Sequence, residues 1–308
     1  MSSGPSRKYH LKGSEDPSDG IERIAAGRID EALDELRGEG SASFAGSVHE
    51  ARKNMKKLRA VLRLVRDEIG DDVYRRENDR FRDAGRLLSG ARDAEVKLET
   101  IDALRDSDDE MPTKATLRKY IYSLERERDE HSGNGAERRE LTERVATEIE
   151  AGKSALDDWD LGEDDWDLLG AGLTRAYRRG RKRFADVRDD PTAENVHEWR
   201  KRAKDLWYHL RILKKLWPAV VGETADEAHE LADLLGDHHD LAVLADDARG
   251  RRDRFDSKDD LKALVAAAER RQEELLTESI ELGERLYAEK PKTFARRFEA
   301  YWTAWRAA

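Results

Sequence analysis

The residues of this chain best suited to chemistry form a motif that occurs twice. His49-Glu50-Ala51-Arg52-Lys53-Asn54-Met55-Lys56-Lys57-Leu58 returns as His197-Glu198-Trp199-Arg200-Lys201-Arg202-Ala203-Lys204-Asp205-Leu206, 148 residues later. Leu62-Arg63 answers to Leu210-Arg211 at the same offset. Placed on an α-helix with His49 at zero, His49, Arg52, Lys53, Lys56, Arg59 and Arg63 fall between about 280° and 40°. In the second copy His197, Arg200, Lys201, Lys204 and Arg211 occupy the same arc, joined there by Trp207 and Tyr208. Arginine forks grip phosphate oxygens in pairs and lysine adds a compact charge. A ladder of both suits phosphate better than isolated carboxylates.

Such a ladder is costly on its own, because like charges three and four residues apart repel by a few tenths of a kcal/mol per pair. Residues 49–66 carry a net +6, residues 197–215 a net +5, and residues 174–185 a net +6 from Arg175, Arg178, Arg179, Arg181, Lys182 and Arg183. The whole chain is −10, so these three segments at +17 leave −27 for the rest. The charge is segregated. One reading pairs these cations with acids of neighbouring helices; the other makes them a preformed cleft for an extended polyanion, and retention of the sign at matching angles in both copies favours the second.

The elements that position the ladder read as helices. Val48, Ala51, Met55, Leu58, Leu62, Val65 and Ile69 follow a 3-4 spacing across 22 residues, the stripe of a helix of about 33 Å. Ile24, Ala25, Ile29, Ala32, Leu33 and Leu36 mark an earlier helix ending near Gly38 and Gly40, and further periodic segments cover 72–89, 91–104, 113–131 and 137–151. Residues 1–18 read as a polar N-terminal tail and the acid-rich 157–167 as a solvated connector between halves at 19–156 and 168–308. Beyond it helices continue, with breaks expected near Pro191, Pro218, Gly236, Gly250 and Pro291. The repeat predicts an all-α protein of tandem-duplicated helical bundles with pseudo-two-fold symmetry.

Composition agrees. Of 308 residues, 41% are charged, against about 25% in an average domain, and only 6 are proline, which argues against a turn-rich β-sandwich. Absence of cysteine removes disulfides, thiolate metal sites and a thiol nucleophile. No apolar run is long enough for a spanning helix and residues 1–16 lack the apolar core of a signal peptide, so a soluble, cytoplasmic protein is expected.

Other candidates are weaker. His238-His239-Asp240, with His229 upstream, is a metal-ligand candidate whose competing reading is a turn at a helix junction. The cationic setting of His49 and His197 would repel a divalent ion, so phosphate-side hydrogen bonding suits them better. Trp199, Trp217, Trp302 and Trp305 read as core, whereas Trp207 and Tyr208 near the basic arc could stack bases. No P-loop, nucleophile elbow or zinc-protease motif is present. Asp93 and Asp240, at corresponding positions, are the duplicated acids to consider for metal-assisted phosphoryl transfer, although a cap or an arginine-orienting role is more usual.

These residues resemble the CHAD family, the conserved histidine α-helical domain. The likeness rests on the doubled His-x-x-Arg-Lys-x-x-Lys motif and on Leu88-Ser89-Gly90-Ala91-Arg92-Asp93 with its counterpart Leu235-Gly236-Asp237-His238-His239-Asp240. It implies two related helical bundles around a basic central channel that binds inorganic polyphosphate. It carries ligand contacts onto His49, Arg52, Lys53, Lys56, Arg59 and Arg63 of the first copy, and onto His197, Arg200, Lys201, Lys204 and Arg211 of the second. Arg175, Arg178, Arg179 and Lys182, on one face just before the second motif, are expected to join them. The copies differ: no equivalent cluster precedes the first motif, and Arg92 is matched by His239, so unequal grip is expected. The implied role is non-enzymatic: localisation, sensing or scaffolding in the cytoplasm or at polyphosphate granules, with no cofactor and no membrane. The alternatives are a single-stranded nucleic-acid binder and a metal-dependent hydrolase of polyphosphate or phosphate esters.

Overall fold

The computed structural model describes residues 7–41, 43–88, 90–107, 111–131, 134–162 and 165–308, apart from the side chains of residues 90–92 and 131. Among these residues there are twelve α-helices and no strand. They are α1 (Pro17–Leu36), α2 (Phe44–Leu64), α3 (Arg66–Ile69), α4 (Asp71–Leu87), α5 (Gly90–Ser107), α6 (Arg118–His131), α7 (Gly135–Ser154), α8 (Asp167–Asp189), α9 (Ala193–Leu213), α10 (Glu223–Gly250), α11 (Lys258–Leu286) and α12 (Pro291–Arg306). Several starts are written locally. Asp16 accepts from Ser18 N with Pro17 in the first turn of α1, Ser43 caps α2 through Gly46 N, Thr192 caps α9 through Asn195 N, and Asn134 with Glu137 forms a capping box on α7.

The apolar stripe of the first motif is buried as its spacing requires: Ala51, Met55, Leu58, Leu62 and Val65 are at most 2% exposed. The helix does not run on to Ile69. It ends at Leu64, Val65 is not helical, and α3 is a separate turn. The reason lies in α8, which docks on this end: Arg175 Nη2 donates to the Arg63 carbonyl at 2.8 Å, and Gly172 lies against the Leu64 backbone. A Cβ on Gly172 would stand 1.8 Å from the Leu64 oxygen, so only glycine permits this approach.

Two cores form, and neither coincides with a half of the chain. The larger joins α1, α2, α4 and α7 to α8, α9, α12 and the first half of α10. The smaller unites Ile101, Leu104, Tyr120 and Leu124 of α5 and α6 with Leu241, Leu244, Leu264 and Leu275 of α10 and α11. The packing thus crosses the boundary between the two halves. The α5–α6 pair leaves its own half to cover the second half's longest helices, because its apolar faces are completed there.

Three further expectations change. The polar tail of residues 1–18 is docked from Arg7 onward: Tyr9 and Leu11 are buried, and Leu11 N donates to the Ile212 carbonyl at 3.0 Å. The acidic connector is anchored by aromatics, with Trp159 buried and Trp166 packed 5.8 Å from Trp302. Gly236 breaks nothing: α10 passes through it unbroken, its missing side chain leaving room for Arg200, whose nearest atom would lie 3.3 Å from a Cβ there. His238-His239-Asp240 is accordingly mid-helix rather than a junction turn.

Candidate functional site

Helices α2 and α9, which carry the two motifs, pack on each other. His209 Nε2 donates to the Ala60 carbonyl at 2.9 Å and Arg63 pairs with Asp205 at 3.3 Å. Beside this contact lies a cleft of about 710 Å³, walled by α2, the start of α5, α9 and the middle of α10. His49, Arg52, Lys53 and Lys56 line it from the first motif, and Arg200 and Lys204 from the second. Matched positions of the repeat therefore meet in one cavity: Arg52 with Arg200, Lys56 with Lys204, and Asp93 with Asp240. His239 also lines it, at 4.4 Å between ring centres from His197.

The electrostatics follow from crowding of like charge. Burial, then Arg200, lowers the Lys204 ammonium, with Asp233, Asp240 and Asp237 opposing. Burial, then Lys201 and Arg200, lowers His197. His239 is pushed down to about 4 by burial, then by His197 and Arg200. His197 Nδ1 and Arg200 Nε are buried without a hydrogen-bond partner, an expensive state unless something else supplies acceptors. Phosphate oxygens accept from such groups.

The predicted residues do not all converge. Lys201 is exposed and pairs with Glu198, and Lys53, although in the cleft, pairs with Glu50 at 3.0 Å, the same acid three residues earlier in each copy. Arg59, Arg63, Arg175 and Arg179 form a second basic surface. There Arg59 Nε donates to Asn78, Arg63 meets Asp205, Arg175 grips Asp67 through both carboxylate oxygens, and burial then Arg202 and Arg175 lower Arg179. Arg178 and Lys182 are exposed on α8. Arg211 lies in an adjoining chamber, over the rings of Tyr9 at 5.5 Å and Trp207 at 5.2 Å.

Sequence reasoning missed Lys57, Lys214 and Lys215, which line that chamber. The signal for Lys57 was its place in the motif; at about 80° it falls outside the arc, and its side chain is buried. Trp207 and Tyr208 stack on each other at 4.5 Å and are 8% and 6% exposed, so little ring face remains for a base. Trp217, expected in the core, is 49% exposed and packs edge-on against Tyr301. His229 pairs with Asp233 at 2.5 Å and stands against Trp207, and among the described residues no group of three or more metal-ligating side chains forms. The side chain of Arg92 lies outside those described.

Fold and cleft define an all-α domain whose two copies of one cationic motif face a common cavity. The family model of the CHAD domain matches residues 27–249, and the chain belongs to the CHAD domain family. That family is associated with polyphosphate binding in general. Among solved structures, the chain is similar to the CHAD domain from the plant Ricinus communis, with a TM-score of 0.60 and 16% identity over 91% of this chain and 95% of that one. No curated protein matches it. Among the described residues no helix is long and apolar enough to cross a membrane.

Proposed function

We propose that this protein binds inorganic polyphosphate in the cleft between α2 and α9, as a non-enzymatic localisation, sensing or scaffolding module. The observation that carries the reading is the meeting of Arg52, Lys56, Arg200 and Lys204 in one cavity. Four cations there face a shared space, and a chain with a negative charge on every unit offers the compensation that isolated carboxylates supply less well. The same matched pairs support a tandem duplication with pseudo-two-fold symmetry. Asp93, Asp233 and Asp240 also line the cleft, and Asp233 and Asp240 partly offset Lys204, a setting that suits tuning of the cations more than metal-assisted hydrolysis. A cytoplasmic location, with association to polyphosphate granules, completes the proposal.

Nucleic acid is disfavoured by the mutual stacking of Trp207 and Tyr208. The deciding experiment is competition of long-chain polyphosphate against single-stranded DNA, RNA and ATP at near-physiological salt, for the wild type and for the R52E/K56E/R200E/K204E variant. Polyphosphate should win, the variant should lose binding with its helical circular dichroism intact, and affinity should fall steeply with salt. Tighter binding of nucleic acid, or normal binding by the variant, overturns the proposal. Phosphate release from polyphosphate with Mg²⁺ or Mn²⁺ would instead support a hydrolase.

A further inference from the structure

A second chamber of about 680 Å³ adjoins the central cleft, and Lys53, Lys57 and Trp207 line both. It lies between α9, the π-helical turn Pro218–Gly222 and the start of α10. Five cations stand on its wall, Lys53, Lys57, Arg211, Lys214 and Lys215, against two acids, Glu223 and Asp226. Lys53 is held by Glu50. The other four have no carboxylate within ion-pair distance among the described residues, so neither wall acid pairs with them.

Two of these cations are held in place by aromatic rings. The Lys57 ammonium and the Arg211 guanidinium lie 5.9 and 5.5 Å from the centre of the Tyr9 ring, and Arg211 lies 5.2 Å from that of Trp207. A ring face attracts a cation without carrying a net charge of its own, so both groups are positioned and their charge is left standing. Lys57 is only 7% exposed, and its hydrogen bond to Asn54 Oδ1 is long at 3.5 Å. Burial, then Arg28 and Arg211, push its ammonium down to about 8. At the corresponding positions of the other copy, Arg63 meets Asp205 in an ion pair at 3.3 Å. The same juxtaposition is thus built once from opposite charges and once from like charges, and like charges this buried are stabilised by an anion between them.

We propose that this chamber is a phosphate subsite outside the central cleft: a polyphosphate chain long enough to pass Trp207 places phosphate groups against Lys57, Arg211, Lys214 and Lys215. This rests on polyphosphate being the ligand of the cleft. The subsite adds to the contacts of the cleft and makes no demand on its other openings, the basic surface around Arg59, Arg63 and Arg179 included. Affinity then depends on chain length, because the cleft satisfies a short oligophosphate and a long chain reaches the chamber as well.

The test titrates tripolyphosphate and long-chain polyphosphate into the wild type, K214E/K215E, K214Q/K215Q and K258E/K262E, the last altering two exposed lysines of α11 that line neither chamber. K214E/K215E should bind tripolyphosphate within about twofold of wild type and lose about tenfold or more for the long chain. The neutral pair K214Q/K215Q should lose less, with the log–log salt slope for the long chain reduced by about 1.4, the value for two lost phosphate contacts on a single strand. K258E/K262E, which changes the net charge by the same amount as K214E/K215E, should keep both affinities within about twofold of wild type. An unchanged long-chain affinity in K214E/K215E, an equal loss there for the short ligand, or an equal long-chain loss in K258E/K262E would each overturn the subsite. Failure of the wild type to bind either ligand would instead remove the polyphosphate reading itself, which separates the two outcomes.

Discussion

The rings of His197 and His239 stand 4.4 Å apart, centre to centre, with 37° between their planes, and both belong to the second copy of the repeat. Two imidazolium ions at that spacing, beside Arg200 and Lys201, would repel, and after burial His197 is the neighbour that most holds His239 uncharged.

Polyphosphate binding should therefore take up protons. Burial and neighbouring cations hold both rings below the ordinary 6.5, His239 near 4, so in the free protein they are uncharged at neutral pH. A bound polyanion favours the protonated forms and raises both values. Affinity should rise as pH falls from about 8 to about 5, up to tenfold for each unit by which the ligand raises a ring's pKa. Calorimetry in buffers of different ionisation enthalpy reads the uptake directly, and H197Q/H239Q should flatten the profile. A wild-type affinity that does not change with pH would show that the rings do not sense the ligand.

The acids inside the motif should act as brakes. Glu50 and Glu198 hold Lys53 and Lys201 in ion pairs along their own helices. Exposed pairs of this kind are worth about 0.5 kcal/mol each, so E50Q/E198Q should bind polyphosphate about fivefold more tightly at low salt, the gain shrinking as salt is added. Weaker binding by this variant would mean that the glutamates aim the lysines rather than compete for them.

Gly172 should be a stability position with no direct part in binding. An added methyl must push α8 off the end of α2, because the obstacle is backbone. G172A should cost about 2 kcal/mol, seen as a lower urea midpoint with an unchanged slope. An unchanged midpoint would mean that the helix pair yields more easily than its contact suggests.

What could be read in advance divides along physical lines. Helix α2 was legible because its burial is a matter of period, and Met55, Leu58 and Leu62 carry the period. The angle around the axis puts Arg52, Lys56, Arg200 and Lys204 on matching arcs, and these four line one cleft. What periodicity could not reveal is which helix covers which. Arg59 and Arg63 share the arc of Arg52, yet Asn78 and Asp205 take them, and that depends on α4 and α9 arriving beside them. Lys57 falls outside the arc on a helical wheel, yet it lines both chambers. Gly236 shows the limit of local signals: a residue that commonly ends helices is kept inside one to make room for a guanidinium from another.

The segment leading into α1 has a consequence for the cleft that its composition conceals. Tyr9 donates its hydroxyl to the Lys57 carbonyl on α2 and lies under Arg211 of α9, while Leu11 is bonded to Ile212 of α9. A strap fastened to both walls ties them together from outside, beside the direct packing of α2 on α9. The motif supplies the charges, and this short strap, outside both repeats, joins the two helices that carry them.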